Sequence, residues 1–86
     1  MAIGVNFTAT VTLDGEDYWV RLRSDRFLQS VNLTAEGFLP DDNYFHLAPE
    51  REKSVRFRPL TAVGKRFQGY AEALNLPAAV KFAASR

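Results

Sequence analysis

The chain has no cysteine. Disulfide staples and thiolate metal sites are therefore excluded. It has one histidine, whereas zinc and copper sites usually draw on two or more imidazoles. No metal and no other cofactor is expected. No apolar run approaches the ~20 residues of a membrane-spanning helix. Residues 1–5, Met-Ala-Ile-Gly-Val, are too short and too uncharged for a secretion signal. No membrane partner is expected, and the cytoplasm is the expected compartment. Excess charge of one sign is lacking too. Lys+Arg is 11 against Asp+Glu 10, for a net charge of +1, so no broad field draws in nucleic acid. There is no repeat, low-complexity tract or Gly/Ser/Pro linker to mark an internal boundary. At 86 residues the whole chain reads as a single domain. Patterned structure starts almost at the first residue, which suggests a piece of a larger protein.

What the chain does have is a hydrophobic period of two. Phe7, Ala9, Val11 and Leu13 alternate with Thr8, Thr10 and Thr12. That is a strand with one buried and one wet face. Asp14-Gly15 signals a reversal, here with a loop somewhat longer than the minimal one. Tyr18, Val20 and Leu22 then alternate with Trp19, Arg21 and Arg23. Further strands are expected over residues 27–33, with Val31 and Leu33 inward, and over 44–48, with Phe45 and Leu47 inward. Another carries Val55 and Phe57 inward, with Arg56 and Arg58 outward. Phe38 and Leu39 form a short apolar anchor between them. Residues 67–74 are ambiguous: good helix formers slightly favour a turn or two of helix, a strand is the competing reading, and a last strand is expected over 80–83. About seven short strands at ~8–12-residue spacing predict an all-β, immunoglobulin-like two-sheet antiparallel β-sandwich. Without a cystine between its sheets, aromatic and aliphatic packing must hold it closed.

The most distinctive stretch is Phe38-Leu39-Pro40-Asp41-Asp42-Asn43-Tyr44-Phe45-His46-Leu47-Ala48-Pro49. On local chemistry it is a structural corner. Asp42 and Asn43 suit an Asx-type turn that launches the next strand. Phe45 and Leu47 face the core, Tyr44 and His46 face outward, and Pro49 ends the pairing. The run resembles the motif Ser-Asp-Asn-Tyr-Phe-x-Leu-x-Pro-Gly in the C-terminal immunoglobulin-like domain of family 2 glycoside hydrolases of the β-mannosidase type. Asp42, Asn43, Tyr44, Phe45, Leu47 and Pro49 match, Asp41 replaces the usual Ser, and Glu50 replaces the usual Gly. The resemblance spans about residues 7–83, including the tail over 69–80, and it favours a strand in the ambiguous segment over 67–74. It implies an accessory domain of an enzyme that removes terminal β-mannosyl residues from oligosaccharides. In such enzymes the catalytic glutamates lie on a separate barrel domain, so no catalytic residue transfers to this chain.

The residues themselves agree with that silence. A glycosidase needs two carboxylates ~5–9.5 Å apart in a sugar pocket. Here Asp14, Glu16 and Asp17, then Asp41 and Asp42, then Glu50 and Glu52 all fall in turns, where solvated acids are the norm. Glu72 stands alone. His46 has no nucleophile partner, no serine sits in a nucleophile elbow, and the glycines form no phosphate loop. The expected partners are the other domains of the parent chain, with an oligosaccharide near the domain edge as a further one. The isolated domain is expected to be a monomer. Arg21, Arg23, Arg56 and Arg58 would form one basic stripe beside Trp19 if their strands were neighbours. Two alternatives remain. One is a carbohydrate-binding module that stacks sugar on Trp19 and Tyr44. The other is a free-standing sandwich that pairs through a strand edge.

Overall fold

A computed structural model describes residues 7–43, 45–60 and 66–84. They form eight strands: β1 (Phe7–Asp14), β2 (Asp17–Ser24), β3 (Leu28–Ala35), β4 (Phe38–Pro40), β5 (Phe45–Leu47), β6 (Glu52–Pro59), β7 (Gln68–Glu72) and β8 (Val80–Ala83). One sheet has the order β1-β2-β6-β4 and the other β5-β3-β7-β8. Every pairing is antiparallel. This is the immunoglobulin-like sandwich expected from the period-two rows. The additional strand is β4, the apolar anchor, which joins the sheet opposite β3. The ambiguous segment near residue 70 is β7. Its alternation of exposed Gln68, Tyr70 and Glu72 with buried Gly69 and Ala71 is strand logic that outweighs local helix propensity.

The first hairpin is tighter than its sequence suggests. Asp14 pairs with Asp17, leaving a two-residue loop of Gly15 and Glu16. Gly15 has φ of 65°, as a type II′ turn requires of its first central residue.

The core is Val20, Leu22, Leu28, Val31, Leu33, Ala35, Phe38, Leu47, Val55, Phe57, Phe67, Ala71 and Phe82. The rows read from β2, β3 and β6 are all present in it, although Tyr18 only packs against it from a partly buried position. The β1 row is a partial exception. Phe7, Ala9 and Val11 are only partly buried, and Leu13 is 60% exposed. β1 is an edge strand, and the cover opposite it is short.

Phe67 lies at the centre of an aromatic cluster. Its ring stacks on Tyr18 at 4.4 Å and 3°, and meets Phe38 at 5.0 Å, Phe57 at 5.2 Å and Phe82 at 5.6 Å. Tyr18, Phe38 and Phe57 belong to one sheet and Phe82 to the other. The cluster therefore bridges the gap that a cystine would otherwise span. Gly69 makes room beside it. A Cβ there would collide with the Thr34 carbonyl oxygen and come within 2.9 Å of Phe82 Cζ, so β7 needs glycine where it passes β3.

β3 is held from both sides by asparagines acting as short strands. Asn43 Oδ1 accepts the Leu33 N–H at 2.7 Å, and Asn43 Nδ2 donates to the Leu33 carbonyl at 3.0 Å. Asn75 Oδ1 accepts the Gln29 N–H at 2.9 Å, and Asn75 Nδ2 donates to the Phe27 carbonyl at 2.8 Å.

Candidate functional site

The corner over residues 41–50 departs from the simple Asx turn. Asn43 turns back ten residues to Leu33 instead of bonding the chain just ahead. The reason is geometric. β3 and β5 pair only at Leu28↔Leu47 and Val31↔Phe45, with a register shift between them. Leu33 lies beyond β5's three residues, and the Asn43 amide supplies the missing donor and acceptor. Asp41 does the same for the other sheet. Its N–H donates to the Arg56 carbonyl at 2.9 Å, and its Oδ1 accepts the Arg56 N–H at 3.0 Å.

Asp42 pairs with Lys53 at 2.6 Å, and Lys53 Nζ also sits 5.0 Å from the Phe45 ring centroid. The Lys53 hydrogen bond, and then its charge, hold the Asp42 carboxyl below the usual carboxylate range. A bond from the Asn43 backbone helps, against a partial opposing effect of desolvation. The folded form thus binds its proton less readily than the unfolded chain. The pair's stabilisation is present above the ordinary carboxylate pKa of ~4 and is lost as pH falls through the lowered folded value. Asp42→Asn is expected to flatten the acid limb of the stability–pH curve in that window, as read by urea midpoints from about pH 2 to pH 6.

Leu47 is buried, Phe45 is half-buried, and Pro49 is exposed in the turn that follows. Tyr44 lies outside the described residues. His46 is exposed and accepts the Ser30 N–H on Nδ1 at 3.2 Å. That bond falls at the irregular point of β3, where Ser30 has φ of 53°.

The replacement of the motif's usual glycine by Glu50 puts a side chain on left-handed backbone. Glu50 has φ of 62°, the left-handed region that side chains resist. Its N–H donates to the Ser24 carbonyl at 2.8 Å, and its carboxylate takes Arg23 Nη2 at 2.6 Å. That contact raises the Arg23 guanidinium pKa further. Glu50→Gly is expected to be more stable than Glu50→Ala by about 1 kcal/mol in chemical denaturation. Both variants lose the Arg23 pair, and only alanine keeps the left-handed penalty.

The four arginines and Trp19 do share a face. β2 and β6 are neighbours, with Trp19 opposite Arg56, Arg21 opposite Ser54 and Arg23 opposite Glu52. Arg56 Cζ lies 5.9 Å from the Trp19 ring centroid, within cation–π range. Its Nε is shielded from solvent without a hydrogen-bond acceptor. Asp17 Oδ2 stands 3.9 Å away, close enough to attract but too far to bond. Arg23 is taken by Glu50, and among the described residues no ion pair reaches Arg21 or Arg58. Beside Trp19 is an open depression of ≈ 450 Å³ lined by Thr12, Leu13, Asp14, Trp19, Arg21 and Ser54. It holds one carboxylate, where glycoside hydrolysis needs two. Among the described residues no group of three or more His, Cys, Asp or Glu could hold a metal ion.

Sequence reasoning missed the long-range clamps of Asn43 and Asn75 and the Lys53–Asp42 pair. The only prior sign of them was an Asx residue beside the end of a strand. The Trp19–Arg56 stack was foreseeable as soon as β2 and β6 were paired.

A family model, Ig_mannosidase, an Ig-fold domain, matches residues 3–70. No curated protein and no solved structure matches the chain. Most of the tail resemblance over residues 69–80 lies beyond the matched span, whereas the corner and the Trp19 face lie within it. The chain therefore belongs to the family of immunoglobulin-fold domains of mannosidase-type glycoside hydrolases.

Proposed function

We propose that residues 1–86 are a single, non-catalytic accessory domain of a larger β-mannosidase-like glycoside hydrolase. The parent enzyme removes terminal β-mannosyl residues from oligosaccharides with carboxylates carried on another domain. The observation that carries this reading is the family match over residues 3–70. The chemistry of the described surface agrees with it. Asp42, Glu50 and Asp17 lie against Lys53, Arg23 and Arg56, and Glu72 is an exposed strand residue. The domain's part is architectural, and its partners are the other domains of its own chain. The face bearing Trp19, Arg21, Arg56 and Arg58 is suited to meet an acidic neighbour, since among the described residues no ion pair reaches Arg21 or Arg58 and Arg56 Nε lacks an acceptor. The role calls for no cofactor, nucleic acid or membrane. The purified chain is expected to turn over no aryl β-mannoside. Turnover that disappears on substituting one of its own carboxylates would overturn the reading.

A second reading has its own support in the depression beside Trp19. An indole flanked by the hydroxyls of Thr12 and Ser54 and the charges of Asp14 and Arg21 has the makings of a sugar-stacking site, with Tyr44 as the other proposed aromatic. Titration with manno-oligosaccharides, read by Trp19 fluorescence, separates the two. The architectural reading predicts a flat response. Saturable quenching that is lost in Thr12→Ala or Arg21→Ala would favour binding.

A further inference from the structure

The two sheets have four edges: β1, β4, β5 and β8. Three of them carry devices that discourage further pairing. β4 has three residues and ends on Pro40. β5 has three residues and faces the register shift in β3. β8 has four residues, one of them Lys81. β1 has none of these. It runs for eight residues, Phe-Thr-Ala-Thr-Val-Thr-Leu-Asp, with no proline, glycine, lysine or arginine, and its one charge is at the last position. Among the described residues no strand pairs with its outer side, which leaves a row of backbone N–H and C=O groups available.

Its apolar row is also under-covered. On the adjacent strand Val20 and Leu22 are fully buried, whereas Leu13 is 60% exposed and Phe7, Ala9 and Val11 are only partly buried. The strand is self-complementary as well. With two copies antiparallel about Thr10, Phe7 faces Leu13, Thr8 faces Thr12, Ala9 faces Val11 and Thr10 faces itself. Threonines meet threonines on one face, apolar side chains meet on the other, and no like charges oppose each other.

We propose that β1 is the seat of a homodimer. Two copies of the chain pair β1 to β1, antiparallel, on a two-fold axis at Thr10, which merges two four-stranded sheets into one of eight. This goes beyond the accessory-domain reading and does not depend on it. It differs from the monomer expected from sequence and assigns a specific edge to the strand-edge pairing that the sequence left as an alternative. A single strand edge covers far less than the ~1,600 Å² of a standard interface, so the association is weak and reversible.

The absence of cysteine makes the test clean. Thr10→Cys places one thiol per chain on the axis. Facing residues of an antiparallel pair have Cα atoms ~4.5–5.5 Å apart, within the ~4.4–6.8 Å that a disulfide spans. Mild oxidation of this variant is expected to give a covalent dimer. Thr8→Cys alone should give little, since its two copies would sit ~13 Å apart. Mixing Thr8→Cys with Thr12→Cys should restore cross-linking. In sedimentation from about 10 μM to about 1 mM, the unmodified chain is expected to move towards twice its 9.7 kDa. Thr10→Glu, exposed and opposite Arg21, should keep the native circular dichroism and abolish that shift. A chain that stays monomeric throughout, equal cross-linking at Thr8 and Thr10, or a dimer that survives Thr10→Glu would each overturn the proposal.

Discussion

Replacing Phe67 with alanine is expected to remove most of the domain's stability. The side chain is 1% exposed and touches rings from both sheets. Truncating a buried phenylalanine costs about 3–5 kcal/mol through lost transfer energy and the cavity left behind. A domain of this size has about 5–15 kcal/mol in all, and a small core puts it near the lower end. Neighbouring rings will not easily fill the space, because Tyr18 stacks flat against Phe67 and Phe38 meets it edge-on. Urea unfolding followed by tyrosine and tryptophan fluorescence reads the effect. Phe27→Ala is the control. Phe27 is 46% exposed and makes one tilted ring contact, with His46, so its loss should cost less than about 1 kcal/mol. If the two variants unfold at the same urea concentration, the aromatic bridge is not what closes the sandwich.

The second large effect is expected at Asn43. In Asn43→Ala the N–H and carbonyl of Leu33 both lose their partner at a fully buried position of β3. Each orphaned backbone group costs about 1–3 kcal/mol, and roughly 3 kcal/mol is expected for the pair. Asn43→Asp separates the two bonds. The carboxylate can still accept the Leu33 N–H, but it sets an anionic oxygen against the Leu33 carbonyl, where a donor stood. Its deficit should shrink in acid, where a protonated carboxyl donates again. Hydrogen exchange at the Leu33 amide reports the loss directly, rising in Asn43→Ala by more than at the Val55 amide in the other sheet. A purely local turn predicts no such change at Leu33.

What the sequence made legible, and what it hid, follows from the range of each interaction. Alternation in residues 7–13, 18–23 and 55–58 is local and strong, so β1, β2 and β6 are evident, and pairing β2 with β6 follows as an if. β4 has three residues and no period to detect, so Phe38 reads as an anchor when it is a strand of the opposite sheet. Phe67 sits just outside β7 and continues its buried row of Gly69 and Ala71, but its importance comes from four rings distant in sequence. The corner is visible as Asp42-Asn43 because turn chemistry is local. The partner of Asn43 is not visible, because it depends on how far β5 falls short of β3. Glu50 was conspicuous as a missing glycine, and its positive φ shows why glycine is usual there.

The central claim is that the domain lends shape to a mannosidase-type enzyme and performs none of its chemistry. Antibodies raised against the purified chain test this in an extract of its source cells. The account predicts that they capture a polypeptide far larger than 9.7 kDa and carry aryl β-mannosidase activity with it, while the purified chain itself shows none. Capture of a free 9.7 kDa chain alone, or of a large polypeptide without glycosidase activity, would contradict it.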